Sequence, residues 1–192
     1  LSLHDALPIS HWFVIVCTFL WVGVSCNLFW IKTLFLRRAV YWEGMGIVPI
    51  LLLANLFLGI YYTQSVWFKQ TNKTYFGTLI TLIGLAVTLV GNILFIPSYG
   101  YMACAYSFLA SSIVMATLCY LGGQKYSPTP YRWKSDLFYI LLGAILIYGA
   151  NAFSNTGVIP EFLAQNLAVI GLMAFVLGRE FSWKTGKPKL IE

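Results

Sequence analysis

The chain is 192 residues long, 59% hydrophobic, 17% aromatic and only 9% charged, with a mean hydropathy of +0.78. A soluble domain carries about 25% charged residues, so the composition excludes a water-soluble globule and reads as an all-α polytopic membrane protein. Net charge is +6, but the basic residues lie between apolar runs, which argues for anchoring at an anionic leaflet and against nucleic acid.

Leu1 to Ser10, LSLHDALPIS, fits nothing that follows. It lacks a basic n-region, so it is not a signal peptide. It resembles translated sequencing-adapter sequence, a non-native segment. The fold is therefore read from residue 11 to 192, and the chain is expected to start in mid-protein.

The first span is expected at about 12–34, with Trp12 and Trp30 marking its ends and Lys32 snorkelling outward. Arg37, Arg38, Tyr41, Trp42 and Glu43 form a short amphipathic connection. The second span, about 46–68, opens with Pro49 in its first turn, where a missing N–H costs little. The 25 uncharged residues between Glu43 and Lys69 suffice to cross a bilayer. Trp67 and Lys69 read as a membrane–water boundary.

Between Lys73 and Lys125 lie 51 uncharged residues, right for two spans. Pro97-Ser98-Tyr99-Gly100 is the turn between them. That places the third span at about 76–95 and the fourth at about 102–121. Gly122 to Ser135 is a linker. The fifth span is about 137–152 and the sixth about 161–177, the latter opened by Pro160 and Glu161. Arg179 to Glu192 is a basic, polar tail.

Nine basic residues (Lys69, Lys73, Lys125, Arg132, Lys134, Arg179, Lys184, Lys187 and Lys189) fall on one side of these six spans, and only Lys32, Arg37 and Arg38 fall on the other. The bias places the first group, and both ends of the segment, in the cytoplasm. Arg37–Arg38 reads either as an amphipathic stretch lying in the outer headgroups or as a contact to a lipid phosphate.

The four cysteines, Cys17, Cys26, Cys104 and Cys119, lie in apolar runs without C-x-x-C spacing and read as small buried hydrophobes. His4 and His11 belong to no ligand cluster, so neither a metal site nor a cofactor is expected. None of the six acidic residues lies in mid-span. That argues against proton or sodium coupling through this segment. It also argues against a membrane enzyme, which needs convergent acid, base or nucleophile groups.

Asn55, Gly59, Tyr62 and Lys69 share one face of the second span, with Ser65 at its edge and Gln64 turned away. The stripe reads either as a helix–helix contact or as the wall of a solvated cavity. Gly77, Thr81, Gly84, Thr88 and Gly91 form a small-residue seam on the third span. Ala103, Ser107, Ala110 and Thr117 form a similar one on the fourth. Asn92, near the end of the third span, is a further cavity candidate.

VPILLLANLFLGIYY, SVWFK, TNKT and NILFIPSYGYMACA resemble the Wzx-like oligosaccharide flippases of the multidrug/oligosaccharidyl-lipid/polysaccharide exporter superfamily. The similarity runs from about Trp12 to Arg132 and is compositional in the last two spans. It implies that the six helices form one lobe, the C-terminal half, of a MATE-like transporter in the bacterial inner membrane. The other lobe, N-terminal to this segment, would be its partner. It further implies alternating access and export of a polyprenyl-diphosphate-linked glycan for surface polysaccharide biosynthesis. No catalytic residue carries over. The alternatives are half of a MATE-like drug exporter, a membrane-embedded polysaccharide polymerase or ligase, and a non-transporting six-helix scaffold.

Overall fold

The computed structural model describes residues 3–35, 42–126 and 133–154, and the short pieces 166–167, 169–176 and 178–179. The described residues are helical, with no strand among them. The elements are α1 (Leu3–Cys26), α2 (Leu28–Phe35), a 3-10 turn (Glu43–Ile47), α3 (Val48–Gln64), α4 (Val66–Gln70), α5 (Tyr75–Tyr99), α6 (Tyr101–Tyr126) and α7 (Trp133–Ser154). Four helical stretches are long and apolar enough to cross a membrane, or five if the bent α1–α2 pair counts as one. This is the helix content of a membrane protein.

Two expected spans are jointed. α1 begins at Leu3, upstream of the expected start, and breaks at Asn27. There the Asn27 side-chain amide donates to the carbonyl of Gly23 at 3.0 Å. The Asn27 backbone N–H shares that carbonyl at 3.2 Å, and α2 leaves at 67° to α1. The second span is one 27-residue stretch, Gly44–Gln70, but Ser65 interrupts it. The Ser65 hydroxyl donates to the carbonyl of Tyr62 at 2.7 Å. α4 ends at Gln70, and Asn72, one residue past the cap, takes the left-handed conformation that asparagine tolerates, at φ 56°.

The expected four-residue turn at 97–100 shrinks to one residue. Pro97 lies inside the last turn of α5. Gly100, at φ 57° and ψ −138°, makes the reversal that a Cβ would hinder. α6 then runs past the expected end through Gly122 and Gly123. α7 likewise starts at Trp133, inside the expected linker.

The helices pack in a row: α7 on α1, α1 on α3, α3 on α6, and α6 on α5. α1 and α7 run parallel, with Gly143 seated between Thr18 and Val22. α3 and α6 are also parallel, with Gly46 beside Met102 and Trp67 beside Gly123. One core joins α1, α3 and α7 around Val14, Val22 and Tyr139, and takes in Leu172 and Val176 of the expected sixth span. The second joins α3 through α6 around Trp67, Ile80, Met115 and Cys119.

The α5 seam is a packing device. An added Cβ at Gly84 would stand 2.5 Å from Met115 Sδ, and one at Gly91 would stand 2.5 Å from Ser107 Oγ. The α6 seam needs correcting. Ala103 and Ser107 are buried as expected, but the contact continues through Ser111, Ser112, Met115 and Ala116. Ala110 and Thr117 are exposed instead. Trp67 also departs from expectation. It is 1% exposed, its indole N–H donates to the carbonyl of Cys119 at 3.2 Å, and Gly122 and Gly123 make room for it. It is a core residue, not an interfacial anchor.

Candidate functional site

α3, α4 and α5 enclose an open cleft of about 440 Å³. Its chemistry is set by the joint at Ser65. Past that joint α4 carries Lys69 alongside the first three turns of α5. Gly77 lets α5 approach closely, since a Cβ there would stand 3.0 Å from the Phe68 ring. Thr74, Thr78 and Thr81 recur at helical spacing and line the α5 wall, with Tyr61, Tyr62, Ser65 and Lys69 opposite. Tyr61 Oη and Thr81 Oγ1 stand 3.5 Å apart across it. Tyr62 is 60% exposed, so its ring and hydroxyl form the outer rim.

The cleft opens at the end of the bundle that is rich in cations. Lys73 Nζ stands 4.0 Å over the Tyr126 ring, and Lys125 Nζ lies 5.6 Å from the same ring. Tyr126 stacks on Trp67 at 5.9 Å and 14°. The Arg179 guanidinium sits 4.9 Å from Phe138 and 5.2 Å from Tyr139, near the start of α7. Each ring fixes a cation at the helix ends.

Of the sequence candidates, the structure brings Tyr62 and Lys69 into this cleft. Asn55 shares their exposed face but lies outside the cleft, and its side-chain amide donates to the carbonyl of Leu51 at 2.8 Å. Gly59 leaves the stripe: it is where Phe13 of α1 packs. Gln64 is buried. Asn92 sits eleven residues beyond Thr81 on α5, about 16 Å away at 1.5 Å per residue. Its side-chain carbonyl is buried without a hydrogen bond. Arg37 and Arg38 lie outside the described residues.

No protein-family model, curated protein or solved structure matches the chain. The chemistry of the cleft is therefore read from its lining. Four threonine and tyrosine hydroxyls besides Tyr61, those of Tyr62, Thr74, Thr78 and Thr81, and one ammonium line it, while Ser65 is buried and bonded to the Tyr62 carbonyl. The lining includes no carboxylate, imidazole or thiol. Hydroxyls both donate and accept, and an ammonium attracts an anion without bidentate geometry. Such a surface suits a polar, oxygen-rich anionic ligand.

The sequence reading missed two features. Thr74 and Thr78 escaped notice, although their spacing with Thr81 on one face was legible. The second is a contact between His11 and Asp136, with Nδ1 and Oδ1 2.5 Å apart. His11 is 5% exposed and its ring lies 5.8 Å from that of Tyr139. No local spacing could announce a pair 125 residues apart. Among the described residues, no three His, Cys, Asp or Glu side chains group as metal ligands.

Proposed function

We propose that this chain is part of a flippase that moves a polyprenyl-diphosphate-linked oligosaccharide across the bacterial inner membrane. The observation that carries the reading is the α3–α4–α5 cleft, where Lys69 stands among the hydroxyls of Tyr62, Thr74, Thr78 and Thr81. A diphosphate would meet Lys69 at the cation-rich end, and sugar hydroxyls would exchange hydrogen bonds with the threonines. The six-span lobe, the rocking of two lobes about a midplane cavity and a cytoplasmic location for both ends belong to the same proposal. So do the missing N-terminal lobe and the surrounding membrane lipids as partners.

The direct test uses this chain in lipid nanodiscs. A short-chain prenyl diphosphate bearing one sugar is titrated, and binding is followed by native mass spectrometry. Binding that falls about tenfold in Lys69→Glu and persists in Lys69→Arg supports the reading, a loss of the size a charge-assisted contact supplies. Equal binding by both variants overturns it.

One observation favours a second reading, half of an organic-cation exporter. Asp136 borders a pocket of about 200 Å³ with Phe57, Tyr120 and Trp133. Aromatic rings beside a carboxylate suit an organic ammonium. Saturable binding of tetramethylammonium, lost in Asp136→Asn and indifferent to Lys69→Glu, would favour that reading.

A further inference from the structure

α1 and α3 run antiparallel, and two contacts fix their register. The Ser10 and Thr63 hydroxyls stand 3.3 Å apart at one end. The Trp21 indole N–H donates to the carbonyl of Pro49 at 2.9 Å near the other. From Trp21, α1 runs on to Cys26, about 8 Å at 1.5 Å per residue. Read back by the same number of residues, Pro49 leads to Gly44, so α1 ends level with the 3-10 turn Glu43–Ile47. That level is one end of the bundle. Gly46 lies there beside Met102, which brings in the α5–α6 hairpin tip. Exposed rings gather at it, Trp42, Tyr99 and Tyr101, as aromatic side chains do at headgroup depth. The stretch Ser10–Cys26 is about 26 Å long and has all but crossed the roughly 30 Å of hydrocarbon. The span is therefore complete when the chain reaches Asn27.

α2 turns away from α1 by 67° at this level. With α1 near the membrane normal, such a turn leaves α2 within about 25° of the membrane plane. It then climbs only about 5 Å over a length of about 12 Å. Its sequence, LFWIKTLF, is two-sided about that axis. Trp30, Ile31, Leu34 and Phe35 share one side, and Lys32 and Thr33 take register positions on the other, beside Phe29. Trp30, Leu34 and Phe35 are 50%, 78% and 74% exposed, and the Phe29 and Trp30 rings meet edge to face at 6.0 Å. Apolar side chains so bare would be costly in water. We infer that α2 belongs to no span: it is an interfacial helix, lying in the headgroup–acyl boundary at the end of the bundle opposite Lys69, with the Trp30–Ile31–Leu34–Phe35 side sunk into lipid. Its partner is the phospholipid surface of the same bilayer, met by apolar burial and ring placement. The inference is independent of the cleft and of the flippase reading.

The test places single cysteines at each position from 28 to 35, in a background lacking Cys17, Cys26, Cys104 and Cys119, and attaches a nitroxide to each. The chain is reconstituted in nanodiscs of phosphatidylethanolamine and phosphatidylglycerol. Power saturation with oxygen and with a nickel chelate gives the depth of every label. Labels at 30, 31, 34 and 35 should lie about 5–10 Å deeper than those at 32 and 33, so that depth oscillates with the helical period. A steady change of about 12 Å from 28 to 35 would make α2 a continuation of the span and overturns the proposal. Free access of the nickel chelate at every position, a helix standing in water, overturns it too. So does exclusion of both reagents from 30, 34 and 35, a helix covered by protein such as a second copy of the chain. A second measurement keeps the native cysteines. The quenching lost on Trp30→Phe is compared for lipids brominated near the ester and near the acyl terminus. It should be larger for bromine near the ester, and the reverse order overturns the proposal.

Discussion

The hydroxyl of Ser111 donates to the carbonyl of Gly84 at 2.8 Å, from α6 to α5, over a contact that only glycine permits. A Cβ at position 84 would meet the flexible end of Met115 at 2.5 Å and Ser111 Oγ at 3.1 Å. A methyl group displaces Met115; a branched side chain displaces the helix. Gly84→Leu should therefore cost about 1–3 kcal/mol by overpacking, and Gly84→Ala less. Ser111→Ala should cost about 0.6–1 kcal/mol, the scale of one interhelical hydrogen bond in a membrane protein. Thermal unfolding in detergent reads the order. A Gly84→Leu protein as stable as wild type would show that α5 and α6 do not pack as described.

His11 and Asp136 are expected to be energetically coupled, because they tie α1 to the first turn of the parallel α7 at 2.5 Å. His11 is the more deeply buried, so removing Asp136 takes a polar contact from a ring inside the core. Asp136→Ala should destabilise by about 1–3 kcal/mol. A double-mutant cycle with His11→Gln isolates the pair from whatever else each residue touches. The expected interaction energy exceeds about 0.5 kcal/mol. Strict additivity of the two changes would remove this contact from the account of the α1–α7 interface.

The basic-residue bias makes a sidedness prediction that the antiparallel order of α5 and α6 sharpens. Lys125 and Ser98 lie at opposite ends of that hairpin. In a background lacking Cys17, Cys26, Cys104 and Cys119, an impermeant thiol reagent applied to intact cells should label Ser98→Cys and spare Lys125→Cys. The cations Lys69, Lys73 and Lys125 then face the cytoplasm. Outside labelling of Lys125→Cys would invert the topology.

Much of this fold was legible because hydrophobic length and charge spacing are local signals. The 51 uncharged residues between Lys73 and Lys125 did become two long helices. The joints were not legible. Asn27 and Ser65 could have sat quietly in helices, as Asn55 does with the same kind of bond back to Leu51; only the 67° bend after Cys26 and the interruption at residue 65 mark them as breaks. Trp67 misled for a different reason. A tryptophan two residues before a lysine fits an interfacial belt, and the glycine pair that buries it lies 55 and 56 residues further on. That pair also extended α6, because packing on Trp67 outweighs the low helix propensity of glycine. The α6 seam was half right, since small residues cover two faces of that helix and its neighbours decide which face is buried. In the cleft, Tyr62 and Lys69 come from one continuous stretch, so spacing along it was enough to put them on one face. Thr74 and Thr78 sit on the next helix, and nothing within one helix says which face its neighbour will meet.

If the cleft receives a diphosphate-linked sugar, Lys69 sits at its mouth among cations, and a carboxylate there reverses the local charge. Under the flippase reading proposed above, Lys69→Glu should cut transport per inserted molecule at least about tenfold. Abundance should hold, because Lys69 is exposed and its side chain is no part of either core. Lys69→Arg keeps the charge and should retain most activity, since a point charge suffices where no bidentate geometry is required. Thr78→Val removes a hydroxyl from the opposite wall at nearly constant volume and should weaken transport several-fold, the scale of one hydrogen bond. Asn55→Ala separates the cleft from the broader stripe. Asn55 is exposed and bonds within its own helix, so this change should leave both abundance and transport near wild type. Leu89→Ala, on an exposed apolar face, serves as the control. The contrast between Lys69 and Asn55 is decisive: a cavity wall running the length of the stripe makes both substitutions costly, whereas a purely structural helix end leaves transport in Lys69→Glu unchanged. Loss at Lys69 and Thr78 with retention at Asn55 places the working surface in the cleft between α4 and α5.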